Sequence, residues 1–380
     1  MAAAIKYQGI RLHFFAAMFK VIDVDEFTSY IGKQPNSKSN RVLWFLYEWL
    51  TGKQLTLPDL TAGNYINLFD EQYYFTIQSG VRNRRTRIIN NAVGTKEFCP
   101  MVRKTSEILE LSKVNVYETA FAEVQKLGEA LSADVIGRSI NYLYTKETRS
   151  STEIEKEKPD KKKMQRFLNA IKNAGLFELS KGKLIDLQNQ IVEEKVKAKD
   201  YRDCEIYVGS TIQRYGFVDE DVHYIGARAQ TIDSMMNGLL STHEKLMLDA
   251  KVPALIHAAI ISFGEVFIHP FDDGNGRLAR AVSDYVLAQG EQQSIRYYAM
   301  AASIMDNRKS YYDILESTQK SGVDITAWMN WFLETLKETF DSALSKIDLV
   351  LQKARFWHVH GQDGLKPEQV TLNFYYSSFH

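Results

Sequence analysis

From Ser234 to Ala354 apolar residues recur at intervals of three and four, through SMMNGLLSTHEKL, VPALIHAAIISFGEVFI, RLARAVSDYVLAQG, SYYDILESTQKSG and DITAWMNWFLETLKETFDSALSKIDLVLQKA. A period near 3.6 puts an apolar stripe along a helix and conflicts with the two-residue alternation of a half-buried strand. This part of the chain therefore reads as packed helices. Upstream, YETAFAEVQKLGEALSADVIGRSINYLYTKE, about residues 116 to 147, has the same spacing and good helix formers, and predicts one or two amphipathic helices. Pro159 lies in a charged stretch, so one helix should end near Lys158 and another begin after Asp160. Only EIYV and VHYI, separated by Gly, Asp and Glu, are rich in strand formers, and they predict one hairpin. The fold class is mainly α with a small β-hairpin flap, and no repeat period shows.

Composition narrows the function. The chain has 380 residues, and its 47 Lys and Arg balance 47 Asp and Glu. No global field draws it to nucleic acid or to an acidic membrane, so any anion site must be local. Two cysteines, Cys99 and Cys204, supply neither a disulfide framework nor a zinc site and fit a reducing compartment. Lys6, Arg11 and Lys20 break the apolar start, which lacks the core of a secretion signal. VPALIHAAIISFGEVFI carries His257, Ser262 and Glu265 and reads as a buried helix, not a membrane span. These features point to a cytoplasmic protein with no membrane partner, and they argue against a nucleic acid partner. Arg82, Arg84, Arg85 and Arg87 in RNRRTR read as a solvated basic loop, and His358 and His360 as surface residues.

One stretch concentrates reactive and flexible residues: HPFDDGNGRLAR, residues 269 to 280, between two helical segments. Gly274 and Gly276 allow a sharp turn and close approach to a ligand, while the helix starting near Arg277 aims its free amides at the same place. Together these make an anion cradle. Arg277 and Arg280, three apart, place two guanidinium forks for a polyphosphate. Asp273 beside an anion site implies a bridging divalent cation, Mg²⁺ by its usual mode of binding. His269, at the end of the preceding helix, stands where it could take a proton from an attacking hydroxyl. Taken singly, each element also suits an ordinary helix-loop-helix turn. Gly274, Gly276 and Ala279 match a dinucleotide-binding spacing, but no buried strand precedes them, and Walker-A and HExxH motifs are absent from the chain.

HPFDDGNGRLAR also resembles the Fic family motif His-x-Phe-x-Asp/Glu-Gly-Asn-Gly-Arg-x-x-Arg at every fixed position, and SIMDNRKSYYDILESTQKSGVDITAWMNWFLETL resembles the C-terminal helices of Fic domains. The resemblance covers roughly residues 200 to 340. It implies a Fic-type helical core and transfer of AMP from ATP to a Tyr, Ser or Thr hydroxyl of a target protein, with release of pyrophosphate. By position, His269 would be the base and Asp273 would bind Mg²⁺. Gly274, Asn275 and Gly276 would hold the α- and β-phosphates, Arg277 would assist, Arg280 would pair with the γ-phosphate, and Phe271 would anchor the loop in the core. The hairpin within about Glu205 to Ala227 would register the target as an added strand, with Tyr224 or Ile225 clamping the modified side chain; a purely structural edge closed by aromatics is an equal reading.

Upstream, SSTEIEK resembles the inhibitory Ser/Thr-x-x-x-Glu-Gly/Asn helix of Fic proteins, with Ser151 and Glu155 in place and Lys156 departing from the pattern. The resemblance implies the class with an N-terminal inhibitory helix, in which a carboxylate beside Arg280 takes the guanidinium meant for the γ-phosphate. Relatives can also use this glutamate to remove AMP from a modified protein, and a nucleotide-sensing module without catalysis is a further alternative. Oligomeric state often tunes such brakes in this family, so a homo-oligomer is among the partners the resemblance allows. The division expected is 1–115, a mixed, mainly helical region; 116–199, helical, with the inhibitory helix at about 148–158; 200–345, the catalytic core; and 346–380, a short tail.

Overall fold

The computed structural model describes residues 5, 9–113, 133–155, 161–172, 178–214, 217–290 and 299–360. Asp23, Ser37 and Thr105 each accept a hydrogen bond from a first-turn amide and so start the helices that follow them. The N-terminal part opens with α1 (Leu12–Met18), α2 (Val24–Lys33) and α3 (Lys38–Thr51), which bury Phe15, Phe27, Leu43, Trp44 and Tyr47 in a core of their own. A small sheet follows in the order β1 (Ile66–Asn67), β3 (Ile88–Asn90), β2 (Val81–Asn83), with β1 parallel and β2 antiparallel to β3.

Residues 52–105 are thus largely irregular, not mainly helical, and arginine side chains take up their carbonyls. Arg41 is buried and donates to Thr86 O (3.0 Å) and Asn64 O (2.9 Å). Arg85 pairs with Glu48 (3.0 Å) and Asp59 (2.6 Å), and Arg87 donates to the carbonyls of Leu60 and Thr61. Two arginines of the expected solvated loop are therefore internal braces, because irregular backbone needs donors that no ladder supplies.

After α4 (Ser106–Leu111), residues 114–132, where the first part of the helix expected at 116–147 falls, lie outside the described residues. α5 (Ala133–Ile154) ends just before Glu155; α6 (Lys161–Lys172) and α7 (Lys181–Ile191) follow. The hairpin β4 (Tyr207–Arg214) and β5 (Phe217–Ile225) is longer than the two four-residue pieces expected, with an irregularity at Val208/Gly209 that lets the ladder continue past the glycine. Then come α8 (Ile232–Met247), α9 (Ala254–Ile268), α10 (Asn275–Gly290), α11 (Met300–Asp306), α12 (Arg308–Lys320) and α13 (Thr326–His360). Residues 346–360, set apart above as tail, continue α13.

α9 is apolar all round, and all but two of its fifteen residues are buried. Such a helix must be surrounded, and α8, α10 and α13 pack on it. His257 of α9 meets His243 of α8 at 3.1 Å inside that packing, and burial pushes the two rings down to about 3 and about 4 respectively. No described helix is long and apolar enough to cross a membrane. The N-terminal part joins this body by backbone pairing of Met101 with Val323 (2.7 Å) and Ile325 (2.9 Å).

Candidate active site

α9 runs into His269, which closes the helix in the left-handed region at φ 57°, ψ 61°. A non-glycine residue there costs on the order of 1–3 kcal/mol and persists only where neighbours fix it. The fixing bonds are visible: His269 N donates to Glu265 O (3.0 Å), and Arg202 donates through Nε to His269 O (2.7 Å) and through its backbone amide to Pro270 O (2.9 Å).

The loop that follows is preformed. Phe271 is fully buried, edge-on to Tyr201 at 5.5 Å. The Asn275 side chain brackets its peptide groups, accepting from Phe271 N (2.9 Å) and donating to Phe271 O (2.7 Å). Gln188 of α7 donates to Asp273 O (3.1 Å), and Gly274 N donates to Asp273 Oδ1 (2.6 Å). Gly274 itself turns at φ 86°, where a Cβ would stand 2.6 Å from Val192 Cγ1.

Asn275, expected to hold phosphate, uses its side chain on the Phe271 peptide; what it can offer an anion is a first-turn amide of α10. Arg277, expected to assist with the phosphates, lies under the loop, 1% exposed, with Nη2 3.3 Å from Asp273 Oδ1. Its position four residues after Asp273 places it on the buried side of the first turn.

Arg280, one turn further, is buried and faces α5. Nε donates to Ser151 Oγ (2.9 Å), and Nη2 donates to Ser151 O (2.9 Å) and to Glu155 Oε1 (2.8 Å). Burial opposes the charge on Arg280, but Glu155, with Tyr311 and Tyr312, together outweigh it and hold the guanidinium above its ordinary value. Ser151 and Ile154 are fully buried, and Glu147 accepts from Ala301 N at 2.8 Å, so the end of α5 is seated firmly against the body. A Cβ on Gly276 would run into Glu155 Oε1, so the carboxylate occupies the space above the α10 N-terminus.

The structure thus brings Ser151, Glu155, Gly276 and Arg280 together on one side, with His269 and Asp273 on the same loop. His269 Nδ1 lies 3.1 Å from Val266 O. A carbonyl only accepts, so Nδ1 carries the hydrogen and Nε2 keeps its lone pair. Burial, opposed by the Val266 carbonyl and by Glu155, leaves the ring below its ordinary value and hence neutral near pH 7. Tyr224 packs 5.9 Å from the His269 ring and donates its hydroxyl to Phe267 O, whereas Ile225, next on the strand, is exposed. The alternation of a strand separates the two: Tyr224 faces inward and Ile225 outward.

The Asp273 side chain is 44% exposed and engages Gly274 and Arg277 through Oδ1. Among the described residues no group of three or more His, Cys, Asp or Glu could hold a metal ion. A single carboxylate suits Mg²⁺, which completes its shell with water and substrate phosphates, better than Zn²⁺, which takes three or four protein ligands.

Sequence reading passed over Arg202, Gln188 and the His243–His257 pair. Arg202 sits among ordinary charged residues in KDYRDCE, and each of the others lies on a helix whose partner is distant in the chain, so local pattern carried no signal.

Among solved structures the chain is similar to a Fic family protein from Desulfovibrio desulfuricans G20, with 19% identity, TM-score 0.46 and coverage of 70% of this chain and 83% of that one. It is also similar to a Fic domain-containing signaling protein from Bacteroides thetaiotaomicron VPI-5482, at 17% identity and TM-score 0.44, covering 64% of this chain and 97% of that one. A third is a segment of Fic-1 from C. elegans, at 12% identity and TM-score 0.43, covering 64% and 74%. The Fic/DOC family, whose members are generally enzymes that transfer nucleotide-derived groups, has a model that matches residues 178–287. That match takes in the hairpin, His269 and the loop through Arg280, and it identifies residues 178–287 of the chain as a Fic/DOC domain.

Proposed function

We propose that this protein transfers AMP from ATP to a Tyr, Ser or Thr hydroxyl of a target protein and that Glu155 restrains it in cis. The observation that carries the reading is the Glu155–Arg280 pair above Gly276. A buried guanidinium at a helix N-terminus is a seat for phosphate, and here a carboxylate of the same chain takes it.

With Glu155 displaced, the triphosphate would lie along the first-turn amides of α10, its terminal phosphate on Arg280. The Nε2 lone pair of His269 accepts the proton of the attacking hydroxyl as its oxygen bonds to the α-phosphorus. The bond from the α-phosphorus to the bridging oxygen breaks, and pyrophosphate leaves. Mg²⁺ held through Asp273 would neutralise charge on the phosphates during this exchange. The fixed loop supplies amides already aimed at the phosphates, so little reorganisation is needed. The hairpin, with exposed Tyr207, Val222 and Ile225, offers a target segment an edge on which to add a strand. In this reading the partner is a protein, not a membrane or a nucleic acid, and the setting is the cytoplasm.

Parallel incubations of Glu155→Gly with ATP labelled on the α- or the γ-phosphate test the chemistry. AMP transfer predicts covalent label from the α-position alone. Label from the γ-position would show phosphate transfer and contradict the proposal.

A further inference from the structure

We infer that Arg202 is a positioning residue for His269, one side chain that ties both roots of the hairpin to the left-handed turn on which the base stands. The inference deepens the function proposed above and rests on it for the role of His269. Arg202 is 5% exposed, and its hydrogen bonds go to backbone carbonyls rather than to a carboxylate. Nε donates to His269 O (2.7 Å), Nη1 to Cys204 O (2.5 Å), and Nη2 to Ala227 O (2.6 Å) and Ile268 O (3.5 Å). Cys204 lies where the chain enters the hairpin and Ala227 where it leaves, while Ile268 and His269 are the end of α9.

Burying a guanidinium against neutral acceptors is costly, and burial holds Arg202 below its ordinary value. What is gained is geometry: five donors in one rigid plane, which an ammonium cannot reproduce. The hairpin and His269 therefore share one fixed point, and a target strand that shifts the hairpin acts on the carbonyl of the base. Gly226 belongs to the same joint, because a Cβ there would stand 2.7 Å from Arg202 Nη2.

Charge gives the joint a signature that a plain brace would lack. The charged groups that act on the His269 ring are Arg202 at the hairpin root, Glu155 after α5 and Asp273 in the loop, alongside the Val266 carbonyl of α9; Tyr224 packs on it from β5. Of these, Arg202 opposes protonation and the others named in the titration favour it.

The test uses the full chain carrying Glu155→Gly, with Arg202→Gln, Arg202→Lys or Gly226→Ala added. Two quantities are read: initial self-labelling rate against MgATP concentration, and the titration midpoint of His269 by NMR, its signal identified by its loss in His269→Ala. In Arg202→Gln the rate at saturating ATP should fall about 10- to 100-fold while the half-saturating ATP concentration holds within about twofold, and the His269 midpoint should rise. Arg202→Lys, with the charge kept and the fork lost, should lose rate with a smaller rise. Gly226→Ala should behave likewise, because its Cβ meets Nη2 first, at 2.7 Å, ahead of Ile206 Cγ1 at 3.3 Å. An unchanged saturating rate and an unchanged midpoint in folded Arg202→Gln would overturn the inference, as would a loss confined to half-saturating ATP. Should Arg202→Gln fail to fold, an unchanged rate and midpoint in Gly226→Ala would overturn it. Absence of label in the Glu155→Gly parent would contradict AMP transfer, and the midpoint would still decide the role of Arg202.

Discussion

Glu155 Oε1 lies 2.8 Å from Arg280 Nη2, and the same carboxylate fills the space that a Cβ on residue 276 would enter. One guanidinium cannot satisfy both this carboxylate and a phosphate in the same place. In the function proposed above, internal pairing and nucleotide binding are therefore linked, and each must weaken the other by the same free energy.

Removing the carboxylate should tighten nucleotide binding. Glu155→Gly is expected to bind MgATP about 10-fold more tightly than the wild type by calorimetry, within the usual range of coupling energies. Ser151→Ala, which removes the acceptor 2.9 Å from Arg280 Nε, should act in the same direction and less strongly. Equal affinity in wild type and Glu155→Gly would show that Arg280 is not the shared seat.

Close approach at Gly276 predicts a coupling in stability. Gly276→Ala in the wild type should cost roughly 1–3 kcal/mol, because its Cβ meets Glu155 Oε1 beside a fixed Arg280. In a Glu155→Gly background the same change should cost little, a double-mutant cycle read by chemical denaturation. Equal costs in the two backgrounds would place the Glu155 carboxylate elsewhere.

Glu265, one turn before His269, is fully buried, and neither carboxylate oxygen has a hydrogen-bond partner among the described residues. Burial pushes it from its ordinary 4.5 up to about 8. Between those values the folded chain holds a proton that the unfolded chain releases, so this group's contribution is fully present below about pH 4.5 and is lost as pH rises through about 8. Glu265→Gln, which keeps the shape and cannot ionise, should therefore raise Tm more at pH 8 than at pH 5. A gain independent of pH would mean that the carboxyl is not the titrating group.

His269 is held below the usual imidazole value, chiefly by burial, so it is already a base at pH 7. The self-labelling rate of Glu155→Gly should stay level from pH 8 down to about 6.5, the ordinary imidazole value, and fall only as the solution becomes more acid than that. A fall beginning above pH 7 would contradict a neutral His269.

Local patterns made much of this fold legible. α8, α9, α10 and α12 lie where three-and-four spacing put them, and the break at Gly274 stands between helices, while the break expected at Lys158 and Pro159 lies outside the described residues. The His269–Arg280 stretch was readable because its chemistry is contiguous in the chain. What local pattern could not supply was how donors are shared. Whether Arg277 opens to a ligand or lies beneath Asp273, and whether Asn275 spends its amide on Phe271, depends on packing around a turn. Arg202 reaches carbonyls 25 and 67 positions away, and no spacing rule connects them. The N-terminal part reads as mainly helical, whereas its irregular stretch is held by Arg41 and Arg85, whose partners lie 45 and 37 positions away in the chain.

The most direct test of the account is intact mass spectrometry of wild type, Glu155→Gly and Glu155→Gly/His269→Ala after incubation with MgATP, alone and with lysate proteins. The account predicts one or more adenylyl increments on protein in the Glu155→Gly sample, little in wild type, and none when His269 is also replaced. Equal increments in Glu155→Gly and Glu155→Gly/His269→Ala would contradict His269 as the base, and the absence of any adenylyl increment on protein in all three would contradict AMP transfer.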